Sequence, residues 1–333
     1  MKPSAAVLSV TLALGLLTAP VPPHAQQPGK IYRIGGLGGV PPTTPVYDRD
    51  WGGGFKEGLR AVGYREGKDF VMEYRWTDKP WENAPSLAAE LVRLKIDLML
   101  TVGQLRTRAA KEATSTVPIV MLYAMDPVEF GLVASLARPG GNVTGLTFTA
   151  GPEMPGKQLQ LLKDAVPRIS RVAVLWAGAA YFSAAYLRET EAAARALGVT
   201  LQFYEIRDPK EIENTFAEMT KARAEALLLP QSQLNFTHAR QIAALAVKNR
   251  LPTVHGYKEA VEAGGLMAYG ANAPAMFRRA ATYADKIFKG ANPGDLPVEQ
   301  PTKYDLIINL KTAKALGLTI PQSLLGRADA RIE

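Results

Sequence analysis

Asn142-Val143-Thr144-Gly145-Leu146-Thr147-Phe148 follows the secondary-structure breaker Pro139-Gly140-Gly141 and alternates small polar with apolar residues. Such alternation suits a strand, and the Pro-Gly-Gly run before it suits a turn. The stretch separates two blocks of alternating strand-like and helix-like segments. One reading makes it the first crossing between two similar lobes, with a ligand cleft beside it. The other makes it one more strand of a single continuous sheet. The alternation alone leaves both open.

Working outward, the first block begins with a strand at Ile31–Ile34 and a loop rich in Gly and Pro over 35–45. The pattern predicts a helix over Trp51–Val62, a strand over Phe70–Trp76 and a helix over Pro85–Leu94. The apolar run Ile96–Val102 reads as a buried parallel strand. A helix is expected from about Arg106 to Thr114, then a buried strand over Val117–Tyr123. Beyond the crossing, helices are expected over 156–166, 183–197, 209–223 and 237–249. Strands are expected over 171–176, 199–206, 226–229 and 253–255. A second crossing is read at Leu266–Gly270, a long helix at Pro274–Lys289, a strand at Tyr304–Asn309 and a short helix at Lys311–Leu316. This rhythm specifies parallel sheets with helices on both faces.

The chain has 333 residues, 47% of them apolar and 21% charged, values of an ordinary globular protein long enough for two domains. Its net charge of +8 is scattered, with no basic run and no interleaving of aromatic with basic residues, so nucleic acid is not an expected partner. Residues 1–25 read as a secretory leader: Lys2, an apolar run from Val7 to Leu17, then a stretch rich in proline ending at Ala25. With no cysteine, neither a lipid-anchored start nor a disulfide framework is expected. The mature chain is therefore expected to be exported and soluble.

Enzyme motifs are missing. Gly36 and Gly38 begin a G-x-G, but Pro41 stands at the third glycine position of a dinucleotide fingerprint. Gly63 to Lys68 is one residue short of a phosphate-binding loop and lacks the following Ser or Thr. There is no thiol, no G-x-S-x-G elbow and no H-E-x-x-H, and one of the three histidines, His24, lies in the leader. Neither catalysis nor a cofactor nor a metal is expected.

The carboxyl-terminal third carries a family resemblance. Its motifs are Gly264-Gly265-Leu266-Met267-Ala268-Tyr269-Gly270, then Asp285-Lys286-Ile287-Phe288-Lys289-Gly290 with Asp295-Leu296-Pro297-Val298-Glu299-Gln300-Pro301, and Asn309 through Pro321. Gly58-Leu59-Arg60, Asp126-Pro127-Val128 and Arg138 through Gly145 agree with it. Together they resemble the ABC-transporter substrate-binding family that includes the tryptophan and tyrosine binding proteins, over about residues 30 to 333.

The resemblance implies an α/β fold of two doubly wound parallel-sheet lobes joined by three crossing strands, the type I periplasmic binding fold. Lobe one would take 30–143 with 271–298, and lobe two 144–270 with 299–333. A small molecule, an amino acid or an aromatic or other organic acid, would be clasped between them and delivered to an ABC permease. The protein is expected to be periplasmic and monomeric. A sensory module signalling through a membrane receptor is the alternative.

Ligands of open parallel sheets sit outside the carboxyl ends of the strands, which selects the contacts to expect. Gly103 and Gln104 precede a helix whose free N–H groups suit a carboxylate. Asp126 either pairs with a ligand ammonium or caps the helix after Pro127. Tyr123 and Met125 offer apolar wall or core. Trp176 is placed to stack on a ligand ring. Gln231, His255 and Tyr257 complete the set, with Thr147 and Tyr269 at the crossings, lining the cleft or serving the hinge. Where family members with amino-acid ligands carry a polar Asn-Pro-type loop, this chain has Ala177-Gly178-Ala179-Ala180-Tyr181. That departure counts against an aromatic amino acid.

Overall fold

The structure, a computed structural model, describes residues 29–333 apart from 46, 48–51, 78–79, 149–150, 152, 178–181 and 183. The leader, the first residue of the helix expected from Trp51 and most of the loop after Trp176 lie outside the described residues.

Two sheets carry the architecture. The first is built from β1 (Tyr32–Gly38), α1 (Gly52–Ala61), β2 (Phe70–Trp76), α2 (Pro80–Arg93), β3 (Leu98–Val102), α3 (Gln104–Ala113), β4 (Ile119–Ala124) and β5 (Val143–Thr147). Its order is β2-β1-β3-β4-β5, and all four pairings are parallel. The chain then runs through α4 (Met154–Ala165), β6 (Arg171–Trp176), α5 (Ala184–Ala196), β7 (Thr200–Glu205), α6 (Ile212–Lys221), β8 (Ala226–Leu229), α7 (Gln233–Thr237), α8 (Ala239–Lys248) and β9 (Thr253–His255). It ends with α9 (Lys258–Glu262), β10 (Met267–Ala271), α10 (Ala273–Phe288), β11 (Tyr304–Asn309), α11 (Leu310–Ala315), α12 (Gln322–Leu325) and β12 (Ala330–Ile332). The second sheet has the order β12-β11-β10-β9-β8-β6-β7, parallel except where β10 meets β11.

Alternation along each strand divides the core between two faces, as a sheet covered on both sides requires. In β3, Leu98, Leu100 and Val102 join the cluster under α1 and α10, whereas Met99 faces the cluster under α2 and α3. In β6, Val172 and Val174 pack with Leu159 and Leu162 of α4, while Ala173 and Leu175 meet Phe216 of α6 and Ile242 of α8.

The stretch Asn142–Phe148 forms the outer strand of the first sheet, and the chain enters the second sheet after it. Leu146 also bridges to Glu299, where the chain runs back toward the second sheet: Thr147 N donates to Glu299 O and Glu299 N donates to Gly145 O, both at 2.9 Å. Between these two segments, α10 returns to pack on α1 in the first lobe.

Several elements differ from the sequence expectation. The helix expected over 209–223 opens as a single 3₁₀ turn, Pro209–Glu211, held by a capping box between Asp208 and Glu211, before α6 proper. The second helix starts at Pro80 and accommodates Pro85 within its first turns. The short α7, α9 and α12 and the edge strand β12 escape periodicity altogether, being five residues or fewer.

Gly58 shows how closely the first lobe is assembled. A Cβ there would lie 2.6 Å from the Arg278 carbonyl oxygen and 2.7 Å from the Ala281 Cβ, so α1 and α10 touch backbone to backbone. Alanine is the better helix former, yet Gly58→Ala should destabilise the protein by about 1–3 kcal/mol through overpacking. Urea denaturation measures this; a raised midpoint would mean that the close approach does not control the site.

Candidate functional site

The first sheet reverses its winding between β1 and β3, and the second between β6 and β8. At such a switch point neighbouring crossovers diverge to opposite faces and leave a crevice beyond the strand ends. The two crevices face each other across one cavity of about 70 Å³. That is below the few hundred typical of drug-sized sites, so it suits a small solute rather than a polymer.

From lobe one, β3 delivers Val102, Gly103, Gln104, Leu105 and Arg106 to the cavity. Gly103 has φ +84°, a left-handed conformation that turns the strand directly into α3 and is costly for any residue with a Cβ. Its N–H donates to Leu122 O at 2.7 Å, and Thr107 Oγ1 donates to its carbonyl at 3.0 Å, so both ends of the turn are tied down. The first turn of α3 therefore lies at the cavity, where the helix dipole favours negative charge. Arg106 sits in that turn, 4% exposed, donating through Nη1 to Val102 O (3.2 Å) and through Nη2 to Thr77 O. Tyr123, at the end of β4, also has a positive φ of 58°. A bulky residue held in that region is strained backbone, a feature that clusters at binding sites.

From lobe two come Gln231, Ser232, Gln233, Phe236, Tyr257 and Glu259. Ser232 caps α7 by accepting from Asn235 N at 3.1 Å, and Asn235 Nδ2 donates to Leu175 O (3.0 Å) and Pro230 O (2.8 Å). This staple spans the β6–β8 switch and fixes the loop. Gln231 Nε2 donates to Gly256 O at 2.5 Å, which leaves its buried Oε1 with no hydrogen-bond partner among the described residues. Tyr257 OH donates to Ser232 O at 2.8 Å, and its ring meets Phe236 edge-on at 5.3 Å. On the other wall Tyr123 lies 6.1 Å from Phe148, nearly parallel. The cavity thus combines four aromatic rings, a guanidinium, a carboxylate and a helix amino end.

Four of the nine expected contacts, Gly103, Gln104, Gln231 and Tyr257, line this cavity. The other five are not among its lining residues. Asp126 Oδ1 accepts from Glu129 N at 3.0 Å, the capping geometry of the alternative role. Thr147 is buried at the crossing, bonded to Glu299. Trp176 packs on Phe182 and Phe203, with centroids 6.0 and 5.8 Å away. Tyr269 lies against Tyr304 at 5.6 Å, and its carbonyl accepts from Gln158 Nε2. His255 is 1% exposed, with Nε2 3.0 Å from Thr253 Oγ1, because its strand position faces the core. Arg106, Ser232, Gln233, Phe236 and Glu259 were not anticipated. Arg106 carried a readable signal, since a cation in the first turn of a helix opposes the dipole, and such local conflicts collect at functional sites.

The family described as ABC transporter substrate binding protein matches residues 48–332. The chain belongs to that family. A curated relative, the tyrosine-binding protein of Clostridioides difficile strain R20291, is 26% identical over 265 residues, 80% of this chain and 76% of its own. A Streptococcus pneumonia ABC domain solved in complex with L-Trp is 25% identical, with a TM-score of 0.83, over 91% of this chain and all of that one. A ligand-free, open substrate-binding protein with adhesive properties from Clostridium difficile is 24% identical over the same shares, with a TM-score of 0.66. The two-lobed type I periplasmic binding fold is common to this family member and its neighbours. Among the described residues no helix is long and apolar enough to cross a membrane, and no group of three or more His, Asp or Glu is placed to hold a metal.

Burial pushes the His255 imidazole down to about 3, so it stays neutral in the folded protein. The unfolded chain takes up that proton near pH 6.5, so the unfolded state binds more protons between about 3 and 6.5 and stability falls as pH drops through that window. His255→Gln should therefore lose less melting temperature than the parent between pH 7.5 and 5. Parallel thermal-melt profiles for the two proteins would count against a neutral buried histidine.

Proposed function

We propose that this family member is an extracytoplasmic solute-binding protein that clasps one amino acid with an aromatic or apolar side chain and delivers it to an ABC importer. The observation that carries the reading is the pairing, in one small cavity, of opposite charges with aromatic walls. The amino end of α3 and Arg106 suit a carboxylate, Glu259 and the Gln231 oxygen suit an ammonium, and Tyr123, Phe148, Phe236 and Tyr257 suit the side chain. The substitution of small residues for a polar loop after Trp176 argued against an aromatic amino acid, but Trp176 is not among the residues lining the cavity. The tyrosine and tryptophan associations of two relatives favour the same ligand class. The apolar leader supports export, and a clasp that must open and shut freely supports a monomer.

Calorimetric titration of the exported protein with L-tryptophan, L-tyrosine, L-phenylalanine and L-leucine tests this, with indole-3-propionate as the analogue lacking the amine. At least one amino acid should bind and raise the melting temperature, and the amine-free analogue should bind far more weakly. Arg106→Gln should weaken binding by about ten- to a hundredfold, the usual range for losing a hydrogen bond to a charged group. Equal affinity for the acid lacking the amine would remove the assigned role of Glu259 and Gln231.

A further inference from the structure

One side chain of lobe two reaches across the cleft and bonds to lobe one at two points. Gln233, the first residue of α7, donates through Nε2 to the Gly39 carbonyl at 2.8 Å, and its Oε1 accepts from Arg106 Nη2 at 3.3 Å. The same Nε2 donates to Thr237 Oγ1 at 2.8 Å, one turn along α7, so the amide is oriented by its own helix before it meets the other lobe. Arg106 is held from behind by Val102 O and Thr77 O.

The seat for this amide is made by a missing side chain. A Cβ on Gly39 would lie 1.9 Å from Gln233 Oε1, 2.7 Å from its Cδ and 2.9 Å from Arg106 Nη2. Gly39 does not have a positive φ, so its backbone places no demand for glycine; what would be lost is room for the Gln233 amide. Two further features hold the lobes together. Glu129 Oε1 in lobe one accepts from Ala184 N in lobe two at 3.0 Å. Phe182 and Tyr186 of lobe two are buried in the same continuous cluster as Leu122 and Met125 of lobe one.

We propose that Gln233 is an interlobe latch seated on Gly39 and Arg106, and that it sets how much of the protein is closed. Its use in retaining a solute rests on the binding reading above, whereas the latch itself does not. Closure makes both bonds and opening exposes both groups to water, so the latch stabilises only the closed arrangement. Two such bonds, one to a charged donor, correspond to a change of roughly thirtyfold or more in the ratio of closed to open protein. Losing them lowers apparent affinity for any solute by the fraction of binding-competent protein removed.

The chain has no cysteine, so a pair of introduced thiols gives a clean reporter. Glu129→Cys with Ala184→Cys places one thiol on each lobe at the second contact, and a short bismaleimide joins them at a rate that follows the closed population. The pair is compared, with no solute added, in three backgrounds: unaltered, Gly39→Val and Gln233→Ala. The latch predicts cross-linking roughly tenfold slower in both variants, at melting temperatures close to the parent. Equal rates in the three backgrounds, or no cross-link in the unaltered one, overturn it. Gln233→Ala leaves Gly39 untouched and so decides the matter if Gly39→Val folds poorly. A thermal shift with L-tryptophan, run alongside on the parent, speaks to the ligand reading alone.

Discussion

The two-lobed form depends on a short backbone ladder at the crossing. Glu299 is bracketed by Gly145 and Thr147 through two hydrogen bonds, which join the outgoing and returning segments where they pass between the sheets. Its carboxylate is anchored to α10 by both guanidinium bonds of Arg279, at 2.8 and 2.6 Å, and that pairing holds its pKa below the usual range. Tyr283 OH adds a bond to Pro297 O at 2.6 Å. The returning segment is thus fastened to lobe one before it enters lobe two. A connection of few, well-placed backbone bonds fixes where the lobes meet, and crossings of this kind are the usual arrangement of hinged clasps.

Everything in the cleft follows from what parallel sheets oblige the chain to do. Parallel strands need crossover helices, and the crossovers bury both faces of each sheet in apolar clusters. Only the strand ends remain to build a site. Loops there must satisfy their own polar groups, which explains why Asn235 and Ser232 are spent on backbone partners rather than on solute. The polar groups that line the cavity are few: the amino end of α3, Arg106, Glu259, Ser232 and three glutamines, beside the aromatic walls. Economy of this kind fits a protein whose task is recognition. A contact shared between the lobes adds to the closed arrangement alone, and Arg106 with Gln233 makes one such contact.

The family motifs and the strand–helix rhythm were legible because they are local. Periodicity of 2 and of 3.6 is written into neighbouring residues, and the sequence alone established the α/β class, both blocks and most elements to within a few residues. Its choice of strand ends as the place for a ligand was physical reasoning of the same local sort, and four of the residues it named, Gly103, Gln104, Gln231 and Tyr257, line the cavity. Which way a side chain points at the end of a strand is a different matter. A shift of one residue sends it to the other face, so His255 went to the core and Trp176 to an aromatic cluster beside α5. Asp126 had two local roles of similar standing, and its Oδ1 accepts from the Glu129 N–H, the geometry of a cap. Tertiary structure alone decided what lies across the cleft. Gly39 and Gln233 are far apart in the chain and neither belongs to a motif; they meet because two sheets wound on the same plan turn their carboxyl ends toward one gap. No pattern along the chain encodes that distance.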